Sequence, residues 1–211
     1  MFFKQVKSGG DRNFAYIIAS VKTKEAAVID PSPDASAVLD IVKMENLKIK
    51  FLINTHSHYD HSSGNDDIRR VFGDKEMTYI NCCGNIPPED GESINLQDLT
   101  IEVIPTPGHT PDSICIKAGS KLITGDTLFV GKVGGTNSKD DAASEFESLL
   151  KLMALPDETE VWPGHDYGIM PHSTIGYERE NNPFIKRLNS FSDFLWLKQN
   201  WAQYKVEHGL K

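Results

Sequence analysis

Three of the chain's seven histidines fall within six residues, in Thr55-His56-Ser57-His58-Tyr59-Asp60-His61, directly after the apolar run Phe51-Leu52-Ile53. A run that short and apolar reads as a buried strand. The loop that leaves this strand carries three imidazoles and a carboxylate. There, alternate side chains can turn toward one point while the backbone keeps its hydrogen-bond partners. Imidazole and carboxylate together form a borderline-to-hard donor set suited to zinc, iron or manganese. Three later segments repeat the arrangement with one donor each: Thr106-Pro107-Gly108-His109-Thr110, Thr124-Gly125-Asp126 and Trp162-Pro163-Gly164-His165. Each sets its donor beside a glycine, which lets the backbone come close to a bound ion. A single Pro-Gly-His or Gly-Asp is a turn more often than a ligand, and it is the joint pattern that points to a metal site.

The rest of the chain supplies strands and helices in a mixed order. Phe14 to Ala19 and Ala26 to Ile29 read as a hairpin-like pair of strands that ends at Asp30-Pro31. Ser32-Pro33 predicts a helix start with Pro at the first helical position, Val38, Leu39, Ile41 and Val42 forming its buried face. Ser63 and Asp66 resemble a capping box that opens a helix running to Gly73. Short strands dominate from Thr78 to Val130, Ser138 and Asp141 cap a further helix through Met153, and Val161-Trp162 reads as a last strand. Phe184, Ile185, Leu188, Phe191 and Leu195 recur at helical spacing, so residues from about 184 to 208 are expected to form one terminal helix within a single domain spanning 1–211.

Composition removes several classes of function. The net charge is −8, with 25% charged residues and no clustered Lys/Arg stripe to displace counterions from phosphates, so no nucleic-acid partner is expected. No apolar stretch approaches the roughly 20 residues of a membrane span, so no membrane partner is expected. The N-terminus breaks into charge before a signal sequence can form, which gives a cytoplasmic expectation. The three cysteines, Cys82, Cys83 and Cys115, are odd in number and two are sequence neighbours, so reduced thiols are expected. Gly131-Lys132 is followed by Val133 rather than Ser or Thr and reads as a loop, not a phosphate cradle. His172 and His208 match no donor pattern and are expected in solvent. A terminal helix bearing Trp196 and Trp201 suits core packing or a homodimer contact, so monomer and homodimer both stand.

His56-x-His58-x-Asp60-His61, followed in order by His109, Asp126 and His165, resembles the metallo-β-lactamase superfamily over residues from about 13 to 185. Within it, Gly108-His109-Thr110-Pro111, Gly125-Asp126-Thr127-Leu128-Phe129 and His165-Asp166-Tyr167-Gly168 are similar to the glyoxalase II (hydroxyacylglutathione hydrolase) and persulfide dioxygenase branch. The stretch from Ser173 to Glu178 and on to Asn182-Pro183 is similar to the dioxygenase side. The fold implied is an α+β, four-layer αββα sandwich with metals at one edge of its two sheets.

The resemblance also implies roles. His56, His58 and His109 would hold one divalent ion, Asp60, His61 and His165 a second, and Asp126 would bridge them, the ions being Zn, Fe or Mn. Two such ions share a water, lower its pKa and present it to a polarised carbonyl, so the implied function is a metal-dependent hydrolase of a small thioester or ester. The metal-bound water and Asp60 would be catalytic, and the absence of any Gly-x-Ser-x-Gly agrees with a mechanism that needs no serine. Tyr167 and Lys132 would touch a small-molecule substrate, a thiol conjugate being the candidate. The alternative is a mononuclear iron persulfide dioxygenase, with one Fe(II) on a His56, His109 and Asp126 facial triad. A catalytically silent metal-binding scaffold is the third reading. The chain departs from its relatives in having Gly131-Lys132-Val133-Gly134-Gly135-Thr136 where glyoxalase II usually has Gly-x-Cys-Gly-Arg. Phe184 replaces a dioxygenase Arg, Asp112 replaces a Gly, and only 28 residues follow Pro183.

Overall fold

In the computed structural model, residues 1–73, 75–82, 91 and 93–209 are described. The N-terminal half forms a five-stranded sheet in the order β1-β2-β3-β4-β5 from β1 (Phe2–Lys7), β2 (Phe14–Ala19), β3 (Glu25–Ile29), β4 (Lys48–Ile53) and β5 (Thr78–Ile80). The first three strands pair antiparallel, and β3-β4 and β4-β5 pair parallel. The parallel steps are crossed by α1 (Ser36–Met44) and by α2 (Tyr59–Ser62) with α3 (Asn65–Phe72). The C-terminal half forms β6 (Ser93–Leu96), β7 (Leu99–Pro105), β8 (Ile114–Ala118) and β9 (Lys121–Gly125). After these come the small hairpin β10 (Leu128–Phe129) and β11 (Lys132–Val133), then α4 (Lys139–Met153), β12 (Glu160–Pro163), β13 (Ser173–Thr174) and α5 (Ile175–Asn181). A 3-10 turn (Ile185–Arg187), α6 (Phe191–Gln199) and α7 (Trp201–Glu207) complete it. Its six-stranded sheet runs β13-β12-β9-β8-β7-β6.

The alternation of side chains along the strands makes four layers. In β2, which is buried throughout, Phe14, Tyr16 and Ile18 face the second sheet and pack with Ile101, Val103, Ile114 and Ile116. Ala15, Ile17 and Ala19 face the other way, against Val38 and Val42 of α1 and Ile68 of α3. On the far side of the second sheet, Leu122 and Val161 meet Phe146 and Leu149 of α4 and Phe194 and Leu197 of α6. The order is helix, sheet, sheet, helix, which is the α+β sandwich expected. Among the described residues no helix is long and apolar enough to cross a membrane.

Three local expectations are corrected. Pro33 does not open a helix. α1 begins at Ser36, where the Asp34 carboxylate accepts the Ser36 N–H, because Ser32 is held by longer-range contacts: its hydroxyl accepts from Gly64 N at 2.6 Å and its carbonyl from the Ser8 hydroxyl. Ser63 caps nothing. It ends α2, and α3 starts after Gly64, a position where any β-carbon would lie 1.8 Å from the Pro31 carbonyl oxygen. The terminal helix is broken in two places. Ser190 caps α6 by accepting from Asp193 N, and Asn200 leaves helical geometry at φ −115° between α6 and α7. The Ser138 cap on α4 and the stop at Gly73, with φ +80°, are as expected. An edge strand, β1, forms where the sequence reading saw only charge interrupting Phe2-Phe3. Cys82 and Cys115 are buried, His172 and His208 are exposed, and Cys83 lies outside the described residues.

Candidate metal centre

All seven predicted donors collect at one edge of the sandwich. His56 and His58 lie in the loop leaving β4, Asp60 and His61 in α2, His109 beyond β7, Asp126 beyond β9 and His165 beyond β12. The two sheets are joined there by backbone hydrogen bonds, Ile114 N to Thr55 O at 2.8 Å and Phe14 N to Gly164 O at 2.8 Å, while Gly164 N to Gly125 O at 2.7 Å ties the ends of β12 and β9 within the second sheet. Gly125, at φ +49°, and Gly164 make the approach possible. A β-carbon on Gly164 would lie 2.5 Å from Asp126 Oδ1.

The donors fall into three overlapping groups, each with its ligand atoms within 4.8 Å of one another: His56, His58 and His109; His56, His61 and Asp126; Asp60, His61 and His165. His58 Nδ1 is 3.0 Å from His56 Nε2 and 3.1 Å from His109 Nε2. On the other side His61 Nε2 and His165 Nε2 are 3.2 Å apart, with Asp60 Oδ2 at 3.7 and 3.5 Å from them. Asp126 lies between the two halves, with Oδ1 3.3 Å from His61 Nε2 and Oδ2 3.6 Å from His109 Nε2.

The outer nitrogens of four rings are already committed. His165 Nδ1 faces the Asp11 carbonyl at 2.9 Å and His109 Nδ1 the Gly135 carbonyl at 2.8 Å; a carbonyl only accepts, so both nitrogens carry hydrogen. His61 Nδ1 donates to Asp30 Oδ2 at 2.9 Å. Thr55 gives its hydroxyl proton to that same oxygen at 2.6 Å, so the Thr55 oxygen accepts from His56 Nδ1. As neutral rings, all four therefore point Nε2 lone pairs at one another and at carboxylates. That arrangement needs a cation between the nitrogens. Among the described residues Asp126 Oδ1 is buried with no hydrogen-bond partner, and a cation would satisfy it. The residues present thus fit a divalent metal pair.

The electrostatics divide the donors, favouring charge on some and disfavouring it on others. Burial alone would raise Asp126, but the imidazoles of His165 and His61 outweigh it and hold the carboxyl well below its usual range. Burial, with His61 beside it, pushes His56 far down. Burial also works against a charged His61, yet the carboxylates of Asp30 and Asp126 prevail and hold it up. Sequence reasoning missed this supporting layer. Asp30 stood only as a strand end, and Asn13, whose Nδ2 donates to Asp60 Oδ2 at 3.0 Å, only as the residue before an apolar run.

A cleft of about 560 Å³ opens beside the donors, lined by Asp126, Phe129, Lys132, Tyr167, Phe184 and Trp201 among others. Tyr167 stacks on the His165 ring at 4.6 Å and donates its hydroxyl to Asp11 at 2.6 Å. Lys132 Nζ lies 3.8 Å above the Tyr167 ring and Arg12 4.7 Å from it. Burial and the nearby cations Lys205 and Arg12 push Lys132 down, and among the described residues it forms no ion pair. Asp112 accepts from Ser57 at 3.3 Å, beside the histidine loop.

Known proteins carry the same framework. The chain is 34% identical to a probable hydroxyacylglutathione hydrolase of Schizosaccharomyces pombe, over 84% of each protein. It is 28% identical to a probable polyketide biosynthesis zinc-dependent hydrolase of Bacillus velezensis, over 86% of each. The crystal structure of ETHE1 from Myxococcus xanthus superposes with a TM-score of 0.85 at 30% identity, covering 95% of this chain and 91% of that one. The sequence model of the metallo-beta-lactamase superfamily matches residues 8–80 and 84–165, which contain every donor that the geometry brings together. This chain therefore belongs to the metallo-beta-lactamase superfamily.

Proposed function

We propose that the protein is a metal-dependent hydrolase of a small thioester, with a thiol conjugate as substrate, of the hydroxyacylglutathione hydrolase kind. One observation carries the reading: two three-donor groups with Asp126 between them, beside a cleft that presents an unpaired lysine. His56, His58 and His109 would hold one divalent ion, Asp60, His61 and His165 the other, and Asp126 both. When bound, such ions supply Lewis acidity to a thioester carbonyl and lower the pKa of a water. The chain's own groups do the rest. Asp60, fixed by Asn13, orients the attacking water and accepts its proton. Asp30, Asp11 and Gly135 keep His61, His165 and His109 in the tautomer that faces inward. Lys132 meets the anionic part of the thiol carrier, and Tyr167, tied to Asp11 through its hydroxyl, offers that carrier its exposed ring edge.

The test offers an S-lactoyl-thiol and a glutathione persulfide side by side, following thiol release and oxygen consumption. Thioester cleavage is expected, falling by orders of magnitude in Asp60→Asn while one metal is retained. Asp126→Ala should lose more metal than His165→Ala, because it removes a donor from both ions. Oxygen consumption with the persulfide and no thiol release would replace this reading with the iron dioxygenase one.

A further inference from the structure

The segment from β10 through β11 to Gly135 reaches the centre from outside the donor set, and it is held at two points by groups that involve buried acids. At its start, Gly131 N donates to Glu178 Oε2 at 2.9 Å and Asn182 Nδ2 donates to the Lys132 carbonyl at 3.2 Å. Just past β11, Lys198 of α6 donates Nζ to the Gly134 carbonyl at 2.5 Å and to the carboxylate of Glu145 on α4. The Glu145 side chain is fully buried and that of Lys198 is 9% exposed. The next carbonyl along, that of Gly135, accepts the Nδ1 hydrogen of His109. Gly134 itself lies against both donor loops: a β-carbon there would be 2.0 Å from the Asp126 carbonyl oxygen and 3.1 Å from the His109 ring. A buried ion pair is a poor source of stability, since desolvation offsets most of its attraction. This one spends a lysine ammonium on a single backbone carbonyl, one residue away from the group that orients a metal donor.

We propose that Lys198 is a positioning residue for the metal centre: paired with Glu145, it fixes the Gly134-Gly135 peptide and through it the inward-facing imidazole of His109. Helix α6 would thereby be coupled to the ion held by His56, His58 and His109. The proposal rests on these histidines holding a metal, so its test reads metal and not turnover. Zinc affinity of the full chain is measured at pH 8 by competition with a chromophoric chelator, and the cobalt-substituted spectrum is recorded. Lys198→Met alone strands a buried carboxylate, so the informative variant is Lys198→Met with Glu145→Leu, which removes both charges together. One zinc equivalent is expected to weaken about 10- to 100-fold, the size of effect seen when a partner of a metal-bound histidine is lost. The cobalt bands are expected to change, and the second equivalent to stay as in the wild type. Lys198→Gln, which keeps a neutral donor of shorter reach, is the second variant, and the same selective weakening is expected in it. Wild-type affinity for both equivalents with an unchanged cobalt spectrum, in whichever variant folds, overturns the proposal. Failure of the wild type to bind zinc or cobalt at all would instead overturn the metal reading of the site.

Discussion

Asp30 shows how much one side chain can settle at this edge. Its two oxygens accept from Thr55 N, the Thr55 hydroxyl and His61 Nδ1 while its backbone adopts φ +49°, so a single buried carboxylate sets both the turn after β3 and the tautomer of a donor two loops away. Glu145 is the other buried acid with a measurable consequence. Burial pushes it up to about 7 from 4.5, with Lys198 opposing. A carboxyl raised in the folded state holds a proton that the unfolded chain has already released. Its contribution to stability is therefore present below pH 4.5 and is lost as pH rises through 7. The loss is on the order of 3 kcal/mol for a shift of that size. Urea unfolding of wild type and Glu145→Gln from pH 4 to 8 should show the wild type losing stability relative to the variant across that window. A constant difference would mean that Glu145 titrates normally.

Among the elements, the glycine-containing loops after strands decide whether the donors can meet. Gly134 and Gly135 are sequence neighbours with opposite surroundings, the first against the Asp126 carbonyl and the second with nothing within 4 Å of a β-carbon. Gly134→Ala must push the loop away from backbone, which cannot yield as a side-chain tip can. It is expected to cost at least about 10-fold in metal affinity and about 1–3 kcal/mol in stability. Gly135→Ala should leave both within error. Metal titration and thermal melts of the two variants check this, and equal behaviour would show that the close approach is unimportant. The helices illustrate where local rules lose. Ser138 caps α4 as its sequence indicates, because that helix start is exposed and local preference goes unopposed. Ser32 and Ser63 have the same local credentials, but the first is taken by Gly64 and Ser8, and the second falls inside the junction of α2 and α3.

For the molecule as a whole, the centre lies at one edge of the apolar interface between the two sheets. The first sheet supplies His56 to His61 and the second His109, Asp126 and His165, so a bound metal ties the halves of the sandwich together. Zinc at about 100 times its dissociation constant should stabilise the fold by about 2.7 kcal/mol. Chelation is thus expected to lower the melting temperature by about 5–10 °C for a chain of this length, reversibly on adding zinc back. A melting temperature indifferent to chelator would mean that no resident ion spans the sheets. The seven residues that gather at this edge, the mixed alternation of strands and helices and the superfamily were legible in the sequence. Donor chemistry is carried by residue type, and the alternation of apolar positions follows directly from strand and helix periods. The positions of Pro33, Ser63 and the two breaks in the terminal helix were not, because there a tertiary partner or a polar side chain competes with a local preference worth only about 1 kcal/mol. The groups behind the donors were equally out of reach. Asp30, Asn13, Gly135 and the Lys198–Glu145 pair act across separations of 26 to 53 residues, and among them only Lys198–Glu145 and the Gly135 carbonyl reach the centre from its C-terminal side. Spacing in sequence carries no record of such contacts; only the folding of each half of the sandwich brings them within hydrogen-bond distance.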